Sequence, residues 1–124
     1  MKKLFLLCFI SIIICSCSNS NDENEQSMTF NGNWIGTYSG TDHGTWKINI
    51  SNSGNVTGSA HSNDYNEDFE ISGNVNNNGQ LNAVLGSSSS GGTFKGTLSG
   101  NSGNGTWSNN VGTPHSGSWN GNKQ

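Results

Sequence analysis

The chain has 124 residues, a formal net charge of −3, no arginine, and 18 glycines against a single proline. So few cations exclude the basic face that a nucleic-acid partner requires, and glycine at this density leaves no stretch in which a helix would persist. No Gly-x-Ser-x-Gly elbow, P-loop, His-Glu-x-x-His or dinucleotide fingerprint occurs, so the expectation is a protein that is not an enzyme.

Residues 1–16 read as a secretory signal. Lys2 and Lys3 open it, Leu4 to Ile14 form an apolar run broken only by Ser11, and Ile14-Cys15-Ser16-Cys17 ends it. The run is far shorter than the ~20 residues of a spanning helix, and a small residue before the cut suits signal cleavage. This ending resembles the lipobox of bacterial lipoproteins. The resemblance implies cleavage between Ser16 and Cys17, lipidation of the Cys17 thiol, and a membrane partner reached through that anchor. The plainer alternative is an ordinary signal peptide cut nearby. All three cysteines (Cys8, Cys15, Cys17) lie here, so the rest of the chain has neither disulfides nor cysteine-bound metals.

Residues 17–27 form the lipidated cysteine and an acidic linker. Ser18 to Ser27 contains no apolar residue and carries Asp22, Glu23 and Glu25, a composition that cannot offset its ordering entropy. Acids soon after the cysteine resemble the export signal of surface lipoproteins in one lineage of Gram-negative bacteria. That resemblance implies the outer membrane, facing outward, although the acids equally serve to keep a linker solvated.

From residue 28 to 124 the composition changes. Every glycine lies from Gly32 onward, among Asn, Ser and Thr. Apolar residues alternate at Trp46, Ile48 and Ile50, at Phe69, Ile71 and Val75, and at Leu81, Ala83 and Leu85, the two-residue period of half-buried strands. Turn signals at Asn52-Ser53-Gly54-Asn55 and Asn77-Asn78-Gly79 separate them. Strands are predicted near 30–38, 44–51, 55–61, 68–75, 80–86, 92–99, 105–109 and 116–120. The expected fold class is therefore all-β, a small antiparallel meander of about eight short strands closed as a barrel, with a sandwich as the alternative.

The domain also contains a repeat, residues 32–46 against 92–107. Gly32 to Gly40 matches Gly92 to Gly100 at every glycine and at a Thr and a Ser, and Gly44-Thr45-Trp46 matches Gly105-Thr106-Trp107. It predicts two related hairpins, the first and last of the domain, side by side if the sheet closes. The expected core comprises Trp34, Tyr38, Trp46, Ile48, Ile50, Val56, Phe69, Ile71, Val75, Leu81, Leu85, Phe94, Leu98, Trp107 and Trp119. The Gly-x-Trp, Gly-Thr-Trp and Gly-x-Val-x-Gly rhythm is similar to the hairpins of avidin-like eight-stranded barrels. Avidin-type biotin sites place an Asn two residues after the first Trp, where this chain has Gly36 and Ile48. The resemblance implies architecture and no biotin site.

Four groups of residues carry candidate chemistry. Tyr38, Tyr65, Trp107 and Trp119, with abundant Asn, suit ring stacking against a sugar or another small molecule; the plainer reading is core packing, because Trp and Tyr are usually well buried. Asp64, Glu67, Asp68 and Glu70 cluster oxygens of the kind calcium prefers, without EF-hand spacing, and otherwise make an acidic solvated loop. His43, His61 and His115 form a metal site only if the fold unites three separate segments. Asp42-His43 imitates half of a dyad, but strand neighbours point apart. The leading expectation is a lipid-anchored envelope protein whose β domain is a non-enzymatic binding or interaction module, its glycan, small-molecule or protein partner unidentified and no cofactor expected. The alternatives are a structural envelope protein and, last, an enzyme or enzyme inhibitor. Burial of all four tryptophans favours the structural alternative, an exposed aromatic patch favours binding, and a cavity with convergent titratable groups favours catalysis.

Overall fold

The computed structural model describes residues 29–86, 91–110 and 112–124. The signal, Cys17 and the linker lie outside the described residues. Eight strands follow one another: β1 (Gly32–Gly40), β2 (Gly44–Ile50), β3 (Asn55–Ser62), β4 (Glu67–Val75), β5 (Gln80–Leu85), β6 (Gly92–Ser99), β7 (Ser102–Asn109) and β8 (His115–Lys123). Each pairs antiparallel with the next, and β8 returns to β1, closing a barrel in chain order. The closed form, rather than the sandwich, leaves no unpaired edge to recruit another chain.

Closure depends on what lines the inside. Trp34, Tyr38, Trp46, Ile48, Ile50, Val56, Ile71, Val75, Leu81, Leu85, Phe94, Leu98, Trp107 and Trp119 are buried, as the alternation predicts, and Phe30, Ala60 and Ala83 join them. Phe69 is the exception among the expected core residues, only partly buried against the cluster.

Three of the tryptophans pack against glycines of neighbouring strands. Trp46 faces Gly36, which is itself paired with Gly121. Trp119 faces Gly105, paired with Gly96, and Trp107 faces Gly117, paired with Gly40. A Cβ at Gly36 would stand 2.5 Å from the Trp46 ring, and one at Gly96 equally close to Trp119. The missing side chains are the space into which the indoles fit, so glycine and tryptophan together fill an interior that few aliphatics supply. Phe94 stacks on Trp119 at 4.6 Å, and Trp46 meets both rings edge-on. Each indole N–H has an acceptor: Phe30 O for Trp34, Thr37 O for Trp46, Ser39 O for Trp107, and Lys95 O and Thr106 O for Trp119.

Two expectations need correction. The last strands are longer than predicted, since β7 starts at Ser102 and β8 runs to Lys123. At the added ends the inward positions are Gly103 and Gly121, so no apolar residue marks the period there. The second copy of the repeat is the β6–β7 hairpin, not the last one. β8 stands between it and β1, and the two copies are not adjacent.

The two barrel ends differ. The β2–β3, β4–β5 and β6–β7 turns share one end. There Asn76 Oδ1 accepts from the Asn78 and Gln80 amides, and Gly100, at φ +59°, opens a two-residue turn of the kind that fits hairpin twist. Phe30, in a short 3₁₀ turn, seals this end, with Gly79 close against its ring. The other end is framed by the β1–β2, β3–β4, β5–β6 and β7–β8 connections, and here the interior opens.

Candidate functional site

In an up-and-down barrel, the C-terminal ends of odd strands and the N-terminal ends of even strands meet at one mouth. That parity assembles residues far apart in sequence. A cavity of about 170 Å³ lies there, with Ala60, Leu85, Phe94, Phe69 and Trp107 as its apolar lining and Tyr38, Asp42, Tyr65, Glu67, Asn109 and His115 as its polar groups. Ordinary small-molecule pockets run ≈ 300–1,000 Å³, so this one accommodates a single ring or a compact headgroup.

Two aromatic pairs stand in the opening. Tyr38 meets Trp107 edge-on at 5.1 Å, and Tyr65 meets His115 at 5.5 Å. The inner pair is buried, whereas Tyr65 is 54 % exposed. Trp107 is held in place because its Nε1 donates to Ser39 O.

Asp42 organises the polar side. It follows β1 in a short connection tied down on both flanks: Thr41 N donates to Ser116 O, and Asn63 N donates to His43 O. The carboxylate is 5 % exposed. Its Oδ1 accepts from Ser62 Oγ and the His43 amide, and its Oδ2 accepts from the Tyr38 hydroxyl at 3.2 Å. Ser62 Oγ in turn accepts from the Tyr65 amide, so one network joins the β1–β2 and β3–β4 connections of the mouth. Burial, and then the adjacent Asp42 charge, push the Tyr38 phenol above its ordinary ionisation range.

The histidines reach the same mouth along different routes. His43 Nδ1 lies 3.0 Å from Asp64 Oδ2, and His61 Nδ1 lies 2.7 Å from Asp68 Oδ1. The hydrogen bond from His43 holds the Asp64 carboxyl below the usual carboxylate range. Asp42 points in and His43 points out, as neighbours on extended backbone must. His115 Nδ1 is, among the described residues, the buried side-chain polar atom without a hydrogen-bond partner.

Of the residues singled out in the sequence, Tyr38, Tyr65 and Trp107 line the cavity, and Trp119 does not. Trp119 packs inside against Phe94 and Trp46. Asp64, Glu67, Asp68 and Glu70 are not gathered round one point: Asp64 and Asp68 each face a histidine, and Glu67 lines the cavity. Among the described residues no three His, Cys, Asp or Glu side chains are placed to hold a metal ion. Sequence reasoning missed the part played by Asp42 and Asn109, and took His115 only as one of three scattered histidines. The strand parity of a meander is the signal that would have placed them together. Comparison of the chain with protein families, with curated proteins and with solved structures finds no match.

Proposed function

We propose that this protein is a lipid-anchored binding module of the bacterial cell envelope, tethered through Cys17 and taking a small, partly apolar molecule into the barrel mouth. The observation that carries the binding role is the contrast of the two ends. One end is filled by Phe30, while the other leaves a cavity edged by aromatic rings and polar groups. The anchor and the outer-membrane location rest on the signal ending at Cys17 and on the acidic stretch behind it.

All four tryptophans are buried, which taken alone favours a purely structural domain. Trp107 nevertheless faces the cavity beside Tyr38, and exposed Tyr65 extends the aromatic surface to the rim. Titratable groups also converge there, the feature expected of a catalyst. His43 and His61 are engaged by Asp64 and Asp68, and Asp42 is engaged by three donors. A His–Asp pair of this kind also orients a catalytic base, so the binding role rests on the cavity and its aromatic lining.

A thermal-shift screen against single-ring compounds and small glycans tests the reading. A ligand at 100 times its Kd stabilises the native state by ~2.7 kcal/mol. Tyr65→Ala should remove that shift while leaving the melting temperature of the free protein in place. No shift with any ring-sized compound would sink the binding role and leave the structural one.

A further inference from the structure

We infer that the ligand of this mouth is a small organic cation, a ring-sized body carrying an ammonium group. The inference rests on the binding role proposed above and specifies its chemistry.

The first observation is the Asp42 carboxylate. It is 5 % exposed, lines the cavity, and has no ion-pair partner among the described residues. Buried charges are as a rule paired with a counter-charge. Here the donors are two hydroxyls and one amide, all neutral, so the negative charge is solvated but not balanced. A carboxylate offers about four acceptor sites, and three are occupied.

The second observation is the rest of the lining. Glu67 adds another carboxylate, and His115 Nδ1, which lacks a partner, is an acceptor in one neutral tautomer. An ammonium group supplies three donors and a positive charge. Tyr38, Tyr65 and Trp107 line the same cavity, and aromatic rings attract such cations.

The third is the distribution of charge. The five acids of the β domain are Asp42, Asp64, Glu67, Asp68 and Glu70. Four of them lie in the mouth connections or in the first two residues of β4, and Glu70 follows two residues further along. The three lysines stand elsewhere: Lys47 and Lys95 at mid-strand, and Lys123 at the far end of β8. No lysine lines the cavity. A mouth of one sign attracts the opposite one and repels anions of the same size.

Three probes of one shape separate the possibilities: cyclohexylammonium, cyclohexanol and cyclohexanecarboxylate, titrated into the protein by calorimetry at low salt. Cyclohexylammonium should bind at least tenfold more tightly than the alcohol, the carboxylate should not bind, and added salt should narrow the gap. Glu67→Gln, at an exposed position, should reduce that preference several-fold without affecting the fold, and Asp42→Asn should reduce it further if it folds. Equal affinity for ammonium and alcohol, or tighter binding of the carboxylate, would overturn the cation and keep the pocket. Failure of all three probes up to about 10 mM, the weakest range worth calling binding, would overturn the binding role together with the cation.

Discussion

The two ends of this barrel are built from the same kind of chain and behave differently. At the end of the tight turns, Phe30 closes the interior and hydrogen bonds such as Leu98 N to Gly79 O tie each turn to a neighbouring strand. At the mouth, a side-chain network through Asp42, Ser62, Thr41 and the His43–Asp64 pair is added to the backbone bonds. One end is held by apolar volume and backbone bonds. The other is held by a polar network around space.

That difference can be broken in order of severity. Phe30→Ala removes the plug and should cost about 3 kcal/mol, the usual range for emptying a buried Phe site, measured by denaturant unfolding. If it costs under about 1 kcal/mol, the sealed end is not an energetic element of the fold. Asp42→Ala strips one acceptor from Tyr38, Ser62 and the His43 amide together. It should destabilise by about 2 kcal/mol, because Ser62 Oγ is left buried without its acceptor. The Tyr38 hydroxyl and the His43 amide keep His61 O and Asp64 as acceptors.

The next two effects depend on pH. Tyr38 ionises in the unfolded chain near pH 10 and later than that in the barrel. Its contribution is therefore intact below about pH 10 and lost as pH rises from there towards the folded value. Melting temperature against pH should fall less steeply above pH 10 in Tyr38→Phe than in the parent protein. An identical slope would mean that the phenol is not shielded. At the acid side the sign reverses. Asp64 is held below the ordinary carboxylate range, so what it adds is present above about pH 4 and is lost as pH falls through the folded value. Because Asp64 is exposed, Asp64→Asn should flatten the acid limb only slightly. Smallest of all, Tyr65→Ala should leave stability within about 0.5 kcal/mol, as exposed substitutions do, while removing ligand binding. A large loss of stability would instead make Tyr65 a structural part of the rim.

By itself the sequence determined the class of fold and most of its strands. Where apolar residues followed one another at inward positions, as at Trp46, Ile48 and Ile50 and at Leu81, Ala83 and Leu85, the two-residue period was plain. It ran short in β7 and β8, where Trp107 and Trp119 are the apolar residues at inward positions and Gly103, Gly105, Gly117 and Gly121 give no hydrophobic signal. What makes those glycines interior is a tryptophan on another strand, and pairing across strands is a long-range fact. The site divides in the same way. Tyr38, Tyr65 and Trp107 were legible by residue type. Trp119 was not separable from them, since only the register decides that it meets Gly105 and Phe94 inside the barrel rather than the mouth. Asp42 sat beside His43 in plain view, but its role required the return of β8 to β1 and the approach of Ser62 from β3. Local alternation follows from each strand's own residues. The cavity exists only because closure of the sheet brings the ends of eight strands to one ring.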